Sequence, residues 1–246
     1  MHAVPDYRVG VTQPIPPVEF DLRVGSERQR SLLELNDALR DAIVATRLSE
    51  GPPAGLDEAT DLIRRAAELI APHQHPGPHQ QAGFDHPGPS AFHTPSDLAP
   101  DEFFPFSPII GWLNPVAAPV RMWREADPDP SHPADAGLRI AGAMTLPAPY
   151  AGPPSTVHGG VVAMVFDELL GVCAVANGVG AMTGTLTVRY RRPTPLDHEV
   201  TLRSWVDRIE GRKVFIDGTM HHEGELTAEA EGIFIRVSDT PSTKGS

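Results

Sequence analysis

The chain has 246 residues, a formal net charge of −12, 40% hydrophobic and 21% charged residues, 27 prolines and 22 glycines. Those totals bound it to one large domain, or one domain with an appendage, rich in loops. The acidic balance excludes general nucleic-acid binding, which needs a basic face, and the single Cys173 excludes an intramolecular disulfide.

The first stretch, "MHAVPDYRVGVTQPIPPVEF", lacks the charged-then-apolar order of a signal peptide. The longest unbroken apolar run, Val161–Phe166, is far shorter than the roughly 20 residues of a membrane-spanning helix. The expectation is a cytoplasmic protein without a membrane span. Residues 1–71 read as an N-terminal extension with two helices. In "SERQRSLLELNDALRDAIVATRLSE", Ser26 is the expected N-cap, and Leu32, Leu35, Leu39, Ile43 and Val44 recur at helical spacing. "GPPAG" breaks that helix, and "LDEATDLIRRAAELIAP" carries the second, acidic at its start and ended by Pro72. Residues 26–71 hold 6 basic and 9 acidic side chains, so the pair reads as a packing or dimer-supporting appendage, not a DNA-binding one.

Residues 72–104 read as a linker. His73, His75, His79, His86 and His93 lie there among prolines and glycines. Such a tract can hold a metal, but nothing fixes a ligand geometry, and the expectation is a solvated linker with no metal site.

From about residue 105 to 237 the composition is that of a folded domain, with 238–246 as a disordered tail. "SPIIGWLNPVAAPVRMWRE" and "AGLRIAGAMTLPAPYAG" read as strands separated by a polar turn. An apolar helix follows His158. "GTLTVRYRR", "EVTLRSWVDRI", "RKVFIDGTMHH" and "LTAEAEGIFIRV" then read as four strands, with glycine turns at 210–212 and 222–225. The order predicted is two strands, one helix and a four-strand antiparallel meander.

The helix is apolar nearly all round, so it must be enclosed. Asp167 and Glu168 interrupt it. On a helical wheel Asp167 shares a face with Gly160, Ala163, Met164, Leu170, Gly171 and Ala174, while Glu168 points about 100° away. A carboxylate held among apolar side chains has its pKa raised, which strengthens it as a base. From Arg189 to Lys213, seven basic residues face four acidic ones, a local charge of 7 − 4 = +3 in an acidic chain. An anionic ligand would need such a patch, although ordinary edge-strand charges read the same way.

"HGGVVAMVFDE" followed by "TGTLTVRYRRPTPL" resembles the hotdog-fold thioesterases of the PaaI and THEM4-like type, over residues 105–237. The resemblance implies an α+β hotdog fold, an antiparallel sheet wrapped around a central helix, here with an extra N-terminal helical segment. It implies metal-free and cofactor-free hydrolysis of acyl-CoA, with coenzyme A only as part of the substrate. It implies a homodimer or homotetramer with sites between subunits. The carried-over catalytic set is Asp167 as general base or nucleophile and the Gly159 and Gly160 backbone N–H groups as oxyanion site. Thr183, expected from the partner subunit, orients the water or the carboxylate, and His158 holds the turn. Arg192, Tyr190 and Arg191 are the candidate CoA contacts. Glu168 is the alternative acid. A non-catalytic acyl-CoA binding or sensing protein on the same fold is the alternative function. A hydratase of related fold would need an Asp and His pair at the helix, and no such pair follows Asp167.

Overall fold

The computed structural model describes residues 27–74, 104–125 and 137–236. Most of the histidine-rich segment, and Ser26, lie outside them. Helix α1 spans Glu27–Leu48, with Glu27 in its first turn and Arg47 in its last, each matching the helix dipole. Helix α2 spans Pro53–Ile70. It starts one turn earlier than the acid-rich signature suggests, because Pro53 occupies the first helical position, where a missing N–H costs nothing.

The strands are β1 (Val120–Arg124), β2 (Ile140–Met144), β3 (Ala181–Tyr190), β4 (Val200–Glu210), β5 (Lys213–His222) and β6 (Glu225–Arg236), with helix α3 (Gly159–Ala176) between β2 and β3. They form one six-stranded sheet in the order β1-β2-β4-β5-β6-β3, antiparallel at every pairing. The sheet curls around α3, which is the hotdog arrangement.

Two expectations are corrected. The four last strands are not a meander. β4, β5 and β6 are joined by two hairpins, but β3 pairs with β6 and forms an outer edge. The 107–119 half of the first predicted strand is instead a series of turns, and only Val120–Arg124 pairs. Its apolar residues belong to the core even so: Ile109, Ile110 and Leu113 are buried. The hairpin turns follow their glycines. Gly211 has φ +59°, and Glu223 and Gly224 both have positive φ, as a two-residue turn of the I′ kind requires.

The α3 face toward the sheet carries Val162, Val165, Phe166, Leu169, Leu170, Val172 and Cys173, all at most 1% exposed. Each large side chain there contributes about 1.5–3 kcal/mol of burial. Small residues on the strands make room for them. A Cβ on Gly232 would lie 2.7 Å from Phe234 and 2.9 Å from Leu170, and one on Gly218 would lie 2.9 Å from Leu170. α3 is apolar and long enough to cross a membrane, and half of it is buried inside this domain. The enclosure is incomplete. Leu170 and Ala174, which the wheel assigns to the Asp167 face, are buried, while Met164 and Asp167 remain exposed along one stripe.

Candidate active site

The turn before α3 is held on both sides. The Val157 N–H donates to Thr194 O (2.8 Å), and the His158 N–H donates to Tyr150 O (2.9 Å). Gly152 backs onto His158 so closely that a Cβ there would lie 2.7 Å from His158 Cα. His158 is the N-cap of α3, and its Nδ1 accepts from the Gly160 N–H at 3.0 Å. Val161 and Val162 donate back to the His158 carbonyl. The two glycines therefore differ. The Gly160 N–H is used by the cap, whereas the Gly159 N–H has no acceptor among the described residues. A free N–H at the positive end of a helix is a donor for a developing negative charge. Tyr190, from the end of β3, donates its hydroxyl to the Gly159 carbonyl at 2.8 Å, and its ring lies 3.5 Å from where a Gly159 Cβ would be. That contact fixes the peptide that carries the capped N–H.

Two turns further along, Asp167 Oδ1 accepts a hydrogen bond of 2.9 Å from Thr183 Oγ1. Thr183 belongs to the same chain, not to a partner as expected. The reason is a β-bulge. β3 pairs Thr183 with Phe234 and Thr185 with Ile233, so Gly184 is the extra residue. Phe234 faces the core, and the bulge puts Thr183 on that same helix-facing side. Gly184 fits there because even a Cβ would meet Ile235 Cγ1 at 3.0 Å and Ile233 O at 3.2 Å. The "TGT" in the sequence is thus a device for aiming one hydroxyl at one carboxylate.

Burial falls on the other acid. Asp167, expected to be buried or in a cleft, is exposed in the single chain. Glu168 is turned inward, toward the 104–119 segment. Burial holds its carboxyl above the usual range, opposed by the Ser107 hydroxyl and reinforced by the Asp167 charge. Glu168 Oε1 has no hydrogen-bond partner among the described residues. Ser107 is itself anchored by the Ile109 and Ile110 N–H groups. Sequence reasoning missed this tie, because no local motif links residues 107 and 168.

The arginine cluster is not a bare positive patch. Arg189 pairs with Glu231 (2.7 Å), Arg191 with Glu229 (2.5 Å) and Arg192 with Glu225 (2.9 Å), each across to β6. These acids lie beyond the 189–213 stretch, further along the chain. Arg191 and Arg192 both donate their backbone N–H to Thr227 O. Among the described residues no group of three or more His, Cys, Asp or Glu side chains is arranged to hold a metal.

Comparison with known proteins points the same way as this geometry. Residues 155–229 match the thioesterase superfamily. An acyl-coenzyme A thioesterase THEM4 of Mus musculus is 41% identical over 88 residues, covering 35% of this chain and 38% of that protein. Its counterpart in Xenopus laevis is 43% identical over 94 residues, covering 37% of this chain and 42% of that protein. The chain thus spans about two fifths of the length of these curated relatives. A crystal structure of a thioesterase superfamily protein superposes with a TM-score of 0.66 at 27% identity, covering 83% of this chain and 90% of that one.

Proposed function

With a thioesterase-superfamily domain at residues 155–229 as the premise, we propose that this protein hydrolyses acyl-CoA thioesters to the free acid and coenzyme A. One observation carries the reading: the uncapped Gly159 N–H and the Thr183-oriented Asp167 sit on the same helix. Thioester hydrolysis needs a donor for the carbonyl oxygen and a carboxylate for the water or the carbonyl carbon, and these residues are of those types.

Eight residues at about 1.5 Å each separate the two along α3 by roughly 12 Å. That is too far for both to act on one acyl carbon, since the donor and the base each need hydrogen-bond reach. The spacing supports a site assembled from two chains, with Gly159 from one and Asp167 from the other. Two further features favour it. β3 is one of the sheet's two edge strands, and the open stripe of α3 beside it carries Met164 and Asp167. Pairing β3 with a second β3 would cover both in a homodimer.

In the reaction, Asp167 takes a proton from water as the oxygen attacks the thioester carbon. The resulting oxyanion is held by the Gly159 N–H. Collapse breaks the C–S bond, and the CoA thiolate takes back the proton. In the nucleophilic variant, the Asp167 carboxylate attacks the carbon itself, expels the thiolate, and water then hydrolyses the mixed anhydride. Thr183 holds the carboxylate in either route. The three arginines serve the CoA phosphates by exchanging a glutamate partner for a phosphate. The protein works in the cytoplasm and carries no metal or cofactor of its own.

The test is CoA release from short, long and aromatic acyl-CoAs by wild type and Asp167→Ala. Release by wild type that falls by about 10²-fold or more in the variant is expected. Saturable acyl-CoA binding without release would favour the sensing alternative, and equal rates in both would move the chemistry away from Asp167.

A further inference from the structure

Among the described residues, helix α2 has a face with no element packed on it. None of its residues is buried, and among the described elements its packing neighbour is the short 3-10 turn that continues it, Ala71–His73. Leu62 and Leu69 are 63% and 70% exposed, and Leu56, Ile63 and Ile70 are 45%, 48% and 42% exposed. At 100° per residue, these five side chains with Ala59, Ala66 and Ala67 fill one half of the helix, and all six charges lie in an arc of about 120° on the other. An 18-residue helix this strongly divided stands alone poorly in water.

The charges identify the occupant. One flank of the polar arc carries Asp57 and Arg64, and the other carries Glu58 and Arg65. On each flank an acid is followed by an arginine seven residues later. An antiparallel copy brings acid opposite arginine on both flanks, with the crossing near residue 61. A parallel copy brings like charge opposite like charge. The four acids and two arginines of α2 also leave it net negative, which opposes docking on an anionic bilayer. We propose that α2 pairs antiparallel with the α2 of a second copy of this chain, an interface separate from the β3 edge and independent of the catalytic reading.

Cross-linking in the full chain tests it, because native Cys173 is buried and leaves an introduced thiol as the reporter. Leu62 lies near the crossing, so Leu62→Cys is expected to form an interchain disulfide readily on mild oxidation. Leu69→Cys is expected not to, since antiparallel pairing puts the two copies of that position roughly 24 Å apart along the axis. Adding Ile63→Asp to Leu62→Cys should abolish the product. Reversing both arginines (Arg64→Glu with Arg65→Glu) should slow it by about tenfold, and reversing the acids as well (Asp57→Arg with Glu58→Arg) should restore it. All these positions lie on an element with no buried residue, and circular dichroism melts verify the fold. Faster cross-linking at 69 than at 62 would overturn the antiparallel register. Cross-linking at 62 that ignores Ile63→Asp would overturn the pairing. Sedimentation with phosphatidylcholine vesicles that is lost in Ile63→Asp would assign the face to lipid and overturn the proposal.

Discussion

Thr183 on β3 donates a 2.9 Å hydrogen bond to Asp167 on α3, sixteen residues earlier in the same chain. A hydroxyl bonded to a carboxylate contributes about 1.5–3 kcal/mol when the acceptor is charged. If that bond aims the carboxylate during hydrolysis, Thr183→Val should lower kcat by about 10- to 100-fold with KM little changed. Thr183→Ser should retain most of the rate. Steady-state kinetics on one acyl-CoA measure both, and a Val variant with wild-type kcat would remove Thr183 from the reaction.

Gly159 offers a rarer test, the removal of a single backbone donor. It is the first residue of α3, and His158 before it has φ −62° and ψ 133°. Proline is tolerated at that helix position, and the residue preceding a proline favours this extended conformation. Gly159→Pro should fold normally and lose about 10²–10³ in kcat, as for the loss of one oxyanion donor. If sites are shared, unfolding and refolding Gly159→Pro together with Asp167→Ala should restore activity. Each mixed dimer would then hold one intact site. Mixtures as inactive as the two parents would show that donor and base act within one chain.

Asp217 lies on β5 facing Asp207 and Glu231. Burial first, then those charges, push its carboxyl from the ordinary 3.8 up to about 6, with Arg208 opposing. A carboxyl raised in the folded state binds more protons folded than unfolded between those two values. Stability from this group is therefore highest below about 4 and is lost as pH rises toward 6. The group is partly exposed, so solvent screening reduces the penalty at neutral pH to about 1 kcal/mol. Asp217→Asn should raise the urea midpoint at pH 7, and the gain should fade as pH falls from 6 to 4. A gain that is the same at both ends would show that repulsion and burial at Asp217 are not its source.

Cys173 is 0% exposed, and burial pushes its thiol up to about 12, opposed by Ser204 and Asn177. A thiolate that scarce does not react. A colorimetric disulfide reagent should find no thiol in the native protein at mildly alkaline pH and one per chain in urea. Rapid native labelling would show that the α3–sheet contact opens easily.

How much of this was written in the sequence varies by element. α3 was readable because an apolar run opened by "HGG" has few places to go except inside a sheet. The β4–β5 and β5–β6 hairpins were readable because their glycines announce positive φ locally. The β3–β6 pairing was not, since antiparallel neighbours in sequence read as a meander, and only the need to wrap α3 sends β3 to the far edge. "SPIIG" read as a strand because its residues are apolar, yet they bury themselves from turns. At the site, His158, Gly159, Asp167 and Thr183 are picked out by the resemblance of "HGGVVAMVFDE" and "TGTLTVRY" to the family's pattern. Their division of labour is legible only in part: the Gly160 cap is local, made by His158 two residues earlier, whereas the pairing of the arginines with β6 glutamates and the inward turn of Glu168 beside an exposed Asp167 depend on residues remote in the chain.

The sequence by itself determined the central helix, the His158 cap and the two acids that interrupt the helix, and the charge and periodicity of α2, because these are matters of local order and spacing. Only the tertiary structure decided which carboxylate turns inward, which glutamates pair with the arginines, and which hydroxyl reaches Asp167. Those outcomes hang on contacts between segments far apart in the chain. The Gly184 bulge shows why: one extra residue in a strand reverses which side chains face the helix, and it has no meaning until β6 lies beside it.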